Sequence, residues 1–125
     1  MSLSRAWLRS FLRLGVRRVE EHISEEAIHL QEDTVLSALK ILQTEPGVLL
    51  ADEVGMGKTY QALGLIACAL EQNKTAKVLV VTPRPVLNQQ WFRVAGRFRD
   101  QGFYTFPPGS FGLAQHLTDL ADTCQ

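Results

Sequence analysis

The residues best suited to chemistry stand together. Lys58 and Thr59 follow directly on Gly55-Met56-Gly57, which sets an ammonium and a hydroxyl beside a glycine turn. Glycine lets the backbone adopt conformations that a side chain blocks, and lets it approach a ligand closely. A turn of this kind opening a helix aims consecutive backbone N–H groups and the positive helix end at one anion. The anion that such a loop cradles is a nucleotide phosphate. Lys58 would then reach the β- and γ-phosphates, and the Thr59 hydroxyl would ligate Mg²⁺.

That chemistry needs a strand to deliver the loop and a helix to leave it. Val48, Leu49, Leu50 and Ala51 form the apolar run before the turn, and residues 58–70 carry Leu63, Ile66, Ala67 and Leu70 at helical spacing. A polar connector over 72–75 leads to Val78, Leu79, Val80 and Val81, the composition of a strand covered on both faces. Strand, helix and strand in that order imply a right-handed βαβ unit. Pro85 then suits the first turn of a further helix, whose apolar face holds Leu87, Trp91, Val94, Ala95 and Phe98. The fold class expected is therefore α/β, a parallel sheet flanked by helices. Residues 103–106 read as a short strand, 107–109 as a turn, and Ser110 as the cap of a helix through Ala121.

Upstream, Ser24 before Glu25 and Glu26 marks a helix start, and Val35, Leu36, Leu39 and Leu42 line one face of a helix over 31–42. Pro46 and Gly47 break it. Residues 1–19 read as a basic amphipathic helix, with Trp7, Phe11 and Leu14 on one side and Arg5, Arg9, Arg13 and Arg17 on another. Three roles suit this segment: a surface helix packed on the domain, an organelle transit peptide, or a basic arm on nucleic-acid phosphates or a membrane surface. The domain plan is thus 1–19 as this helix and 20–125 as a partial nucleotide-binding lobe.

Bulk properties exclude more than they assign. The chain has 125 residues, 46% hydrophobic and 21% charged, with formal net charge zero. Total charge therefore makes no case for nucleic-acid binding. Cys68 and Cys124 are too few for a disulfide framework, and His22, His29 and His116 are too scattered for a metal cluster. No apolar run approaches the roughly 20 residues that cross a bilayer. Cys68 inside a helix reads as a small buried hydrophobe, and Trp91 as core rather than a stacking platform.

Common phosphate loops begin with Gly or Ala where this chain has Asp52. The stretch Asp52-Glu53-Val54-Gly55-Met56-Gly57-Lys58-Thr59 resembles the first motif of the SNF2 family of superfamily 2 helicase-like ATPases. Val78-Leu79-Val80-Val81-Thr82-Pro83-Arg84-Pro85-Val86-Leu87-Asn88-Gln89-Gln90-Trp91 is similar to the family's next motif, and Gln31 stands about where the family places an adenine-reading glutamine. The resemblance covers residues 28–98. It implies a RecA-like P-loop lobe in which Asp52, Glu53, Val54, Gly55, Met56, Gly57, Lys58 and Thr59 hold ATP and Mg²⁺, and Gln31 reads adenine. It further implies that Thr82 and Arg84 touch a phosphate of double-stranded DNA, with protein partners also open to the intact molecule. Cytoplasmic (bacterial) or nuclear (eukaryotic) residence fits this family, with a mitochondrial location as the lesser alternative.

The family also requires an Asp-Glu-x-His box and a second lobe. No Asp-Glu pair follows Trp91, and Asp119 and Asp122 fall in a helical context. The chain is thus expected to be an incomplete first lobe, truncated before that box, that binds nucleotide without hydrolysing it alone. Two alternatives remain: another P-loop ATPase or nucleotide switch, and a non-catalytic truncated regulatory or DNA-binding product.

Overall fold

In the computed structural model, residues 3–15, 24–51 and 58–106 are described. Four helices follow in chain order: α1 (Arg5–Arg9), α2 (Glu25–Leu42), α3 (Lys58–Gln72) and α4 (Pro85–Asp100). Each starts where local chemistry permits. The Ser4 hydroxyl accepts from the Trp7 N–H at 3.1 Å, and the Ser24 hydroxyl accepts from the Ala27 N–H at 3.1 Å. Glu25 and Glu26 in the first turn of α2 and Lys40 in its last complement the helix dipole. Pro85 begins α4 at no hydrogen-bond cost, because a first-turn N–H has no helical acceptor.

The end of α4 is a Schellman turn. Gly102 takes φ +83°, its N–H donates to the Arg99 carbonyl at 3.1 Å, and the Phe103 N–H donates to the Phe98 carbonyl at 3.0 Å. This turn swings Phe103, Tyr104 and Phe106 back over the helices, where all three are buried. Arg13 donates its backbone N–H to the Phe103 carbonyl at 2.8 Å, so the segment after α1 is tied to the segment after α4.

The helices pack in sequence, α1 on α2, α2 on α3 and α3 on α4. Leu8, Leu12, Leu14, Val35, Leu63, Ala67, Cys68, Ala95 and Phe98 meet in one core with the aromatic segment. Gly64 is the closest approach of α3 to its neighbours: a Cβ there would lie 3.1 Å from Val35 Cγ2 and 3.3 Å from Leu12 Cδ2. On the other side, Arg9 grips Glu32 with two hydrogen bonds of 2.7 and 2.8 Å. Among the described residues no helix is long and apolar enough to cross a membrane.

Two expectations are overturned. The α/β class with a parallel RecA-like sheet does not hold, because no strand occurs among the described residues. Residues 48–51 and 77–81 are not in strands in the structure, and Leu49 and Val81 are 85% and 79% exposed. An apolar, β-branched run becomes a strand only when another strand takes its N–H and C=O groups, and the described residues supply none. Residues 103–106 form no strand either; Phe103, Tyr104 and Phe106 are buried as an aromatic wedge. The second correction concerns 1–19. The helix there spans only Arg5–Arg9, after which the Ser10 hydroxyl donates to the Trp7 carbonyl at 2.6 Å and the chain turns. Its Arg5 and Arg9 side chains are engaged by Asp33 and Glu32 rather than presented as a bare basic stripe. Residues 16–19 lie outside the described residues, as do the turn and helix expected over 107–121.

Candidate nucleotide site

Lys58 and Thr59 are the first two residues of α3, both half-buried. The glycine loop that precedes them, Asp52 to Gly57, lies outside the described residues. What the structure adds is the surface facing the helix start. Thr59 opens onto a cavity of about 230 Å³ whose other walls are Gln90, Trp91, Arg93, Val94 and Arg97 of α4. The position of this cavity follows from packing. Ala95 and Phe98 bury one face of α4 against the core, which leaves Gln90, Arg93 and Arg97, at i+3 and i+4 steps, on the flank that looks toward Thr59. The chemistry available there is cationic, with hydroxyl and amide groups beside it.

Gln31 occupies a different place. It is 6% exposed in the middle of α2, one and two turns before Val35 and Leu39, and it does not line the cavity at Thr59. Thr82 and Arg84 stand together before α4. The Thr82 hydroxyl lies within hydrogen-bond distance of two acceptors, the Arg84 carbonyl and Asn88 Oδ1, and donates to one at a time. Arg84 is the N-cap residue of α4, exposed, with no capping bond from its side chain. The structure thus groups Thr59 with α4 residues that the sequence reading left unassigned. Their signal was the spacing of Gln90, Arg93 and Arg97, whose meaning depends on how α3 lies against α4.

Cys68 and Trp91 behave as packing residues. Cys68 is fully buried, and burial pushes its thiol up to about 12 from 9.0, with the charge of Glu71 adding to the shift. That raises the proton affinity of the sulfur and makes it a poor nucleophile. Trp91 packs against the core with one side and lines the cavity with the other. Among the described residues no group of His, Cys, Asp and Glu could hold a metal by itself.

Comparison with known proteins places the chain in a family. Residues 13–102 match the SNF2-related domain, and the chain belongs to that family, whose members are helicase-related ATPases. The RNA polymerase-associated protein RapA of Erwinia tasmaniensis is 39% identical over 105 residues, 84% of this chain and 10% of that protein. RapA of Cronobacter sakazakii is 39% identical over 74 residues, 59% of this chain and 8% of that protein. The ATP-dependent helicase ULS1 of Saccharomyces cerevisiae is 32% identical over 123 residues, 86% of this chain and 8% of that protein. The chain thus spans about a tenth, or less, of these relatives. No solved structure matches it.

Proposed function

We propose that this chain is the ATP-phosphate-binding portion of an SNF2-like, DNA-dependent ATPase. The observation that carries the reading is the position of Lys58 and Thr59 at the start of α3, beside a cavity walled by two arginines. Lys58 contacts the β- and γ-phosphates, and the sequence Asp52 to Gly57 supplies the rest of the phosphate-binding motif. Mg²⁺ carried in with the nucleotide offsets phosphate charge, and the Thr59 hydroxyl is its protein ligand. The described walls, cationic or neutral, suit the phosphate oxygens, and the Thr59 hydroxyl is the oxygen that would hold the cation. An adenine contact from Gln31 requires its amide to leave the buried position it now holds.

Thr82 and Arg84 act on a phosphate of duplex DNA, because an exposed arginine at the N-terminus of α4 presents both a side-chain cation and a helix dipole end. In the intact protein, ATP turnover would drive movement along DNA. A transcription-machinery partner is part of the proposal through the RapA relatives, which are named for association with RNA polymerase.

The decisive experiment is ATP titration by calorimetry with Lys58→Ala alongside. The wild-type chain binds ATP with Mg²⁺ and Lys58→Ala loses at least about tenfold in affinity, a difference of about 1.4 kcal/mol. Equal affinity of the two proteins refutes the reading.

A further inference from the structure

We infer that Arg93 and Arg97 of α4 are polyphosphate-binding residues that contact the nucleotide's phosphate chain beside Thr59. The inference rests on the nucleotide-site reading above and adds to it a second source of cationic contacts.

The cavity itself is the first argument. Its volume of about 230 Å³ falls below the roughly 300–1,000 Å³ of pockets that enclose drug-sized ligands, so it suits phosphate groups rather than a whole nucleotide. No carboxylate lines it. The second argument is the arginine pair. Arg93 and Arg97 are four residues apart on one helix face, where like charges repel. Among the described residues neither makes an ion pair, although Arg5, Arg9 and Arg99 all hold carboxylates. Both are exposed, so neither is held there by packing. A guanidinium offers paired N–H donors in a planar fork that matches phosphate oxygens. Two such forks beside the Thr59 hydroxyl and the Gln90 amide form a donor-rich wall with no anion of the described protein to satisfy it. The shared wall with Thr59 selects the ligand, because the neighbouring Lys58 belongs to the nucleotide's phosphate loop.

The test compares ATP, tripolyphosphate and adenosine as ligands by calorimetry, with Trp91 fluorescence as a local reporter in a Trp7→Phe background. In Arg93→Gln/Arg97→Gln, affinity for ATP and for tripolyphosphate falls by about tenfold and its salt dependence weakens. Any adenosine response is unchanged. Arg99→Gln, which removes one arginine charge from the same helix but off the cavity, where it pairs with Asp100, keeps wild-type affinity. Circular dichroism confirms that the variants fold alike. The inference is overturned if the double variant binds tripolyphosphate as the wild type does while Lys58→Ala has lost it, and the nucleotide reading then survives. It is equally overturned if Arg99→Gln weakens binding as much as the double variant. Tripolyphosphate binding that requires the two arginines but ignores Lys58→Ala would instead keep the arginine contacts and remove the nucleotide reading. Absence of any ATP or tripolyphosphate binding by the wild type would remove both.

Discussion

Phe103 stacks on Phe98 with ring centroids 4.9 Å apart and planes inclined by 20°, and the same two residues share a backbone hydrogen bond of 3.0 Å. One contact thus ends α4 and begins the aromatic wedge. Tyr60 of α3 joins it, its ring 5.5 Å from Phe103 and 6.1 Å from Phe98. Because Tyr60 follows Thr59 directly, the cluster also sets how the start of α3 sits against α4. The packing that stabilises the fold and the packing that shapes the candidate site are therefore the same.

Phe98→Ala is expected to destabilise the chain by about 3–5 kcal/mol, the usual penalty for emptying a fully buried aromatic position. Urea denaturation measures it. Gly102→Ala isolates the turn from the ring. Nothing lies within 4 Å of a Cβ at Gly102, so the penalty is conformational, about 1–2 kcal/mol for an L-residue at φ +83°. Gly102→Asn should recover part of that loss, since asparagine tolerates left-handed backbone better than alanine. Equal stability of all three proteins would show that the turn does not set the structure.

How much of this was legible in the sequence depends on how local each signal is. The starts of α2 and α4 were readable because Ser24 and Pro85 act on their own first turns. Lys58 and Thr59 at the head of α3 were readable for the same reason. The sheet was not, because Val78 to Val81 have strand composition whether or not a partner strand is present, and pairing is a non-local fact. Residues 103–106 misled similarly: alternating aromatics suit a strand, but Gly102 turns them onto the core instead. Arg93 and Arg97 carried no assignment in the sequence, because only the packing of α3 on α4 brings them to Thr59. The N-terminal helix was overestimated because apolar periodicity continues past Arg9 while the Arg13 N–H is taken by Phe103.

The Arg9–Glu32 pair makes a prediction about charge. Glu32 is 3% exposed and receives both hydrogen bonds from a guanidinium that is half exposed. Arg9→Ala leaves a buried carboxylate without that partner and should cost about 1–3 kcal/mol, less than a fully buried pair because solvent still reaches the arginine side. Arg9→Ala/Glu32→Gln should recover part of the loss, and a double-mutant cycle reads the coupling directly. The hydrogen bond to Glu32 raises the Arg9 pKa above the ordinary arginine value. A raised basic group contributes its stability below the unfolded value, so the pair should add no slope to stability between pH 6 and pH 9.

Alkaline pH should act through Cys68. Its thiol keeps the proton in the fold up to about 12, whereas the unfolded thiol loses it near 9.0. The unfolded state therefore binds fewer protons between those values, and stability falls as pH rises through that window, by at most about 1.4 kcal/mol per pH unit. Tyr104, whose hydroxyl donates to Glu71 Oε2 at 3.2 Å, is also raised, chiefly by burial, and adds a decline of the same sign. Subtracting the profile of Cys68→Ala from that of the wild type isolates the thiol. A flat difference would mean that Cys68 is not buried as the structure places it. In a Cys124→Ser background, reaction of Cys68 with a thiol reagent should wait on unfolding.

The open ends of the chain's apolar runs offer the sharpest check on the all-helical arrangement of the described residues. Leu49 and Val81 are 85% and 79% exposed, so Leu49→Asp and Val81→Asp place a carboxylate in water at positions that contribute little packing. Each should change stability by no more than about 0.5 kcal/mol. Val78, Leu79 and Val80 are also exposed, and together with Val81 they make an apolar stretch of the kind that drives association. Val81→Asp should therefore reduce self-association as well, seen by light scattering at rising protein concentration. If these residues were instead inside a sheet covered on both faces, an unpaired buried carboxylate would cost several kcal/mol and the variants would unfold. Loss of the cooperative thermal transition in Val81→Asp would therefore contradict the exposed segment directly.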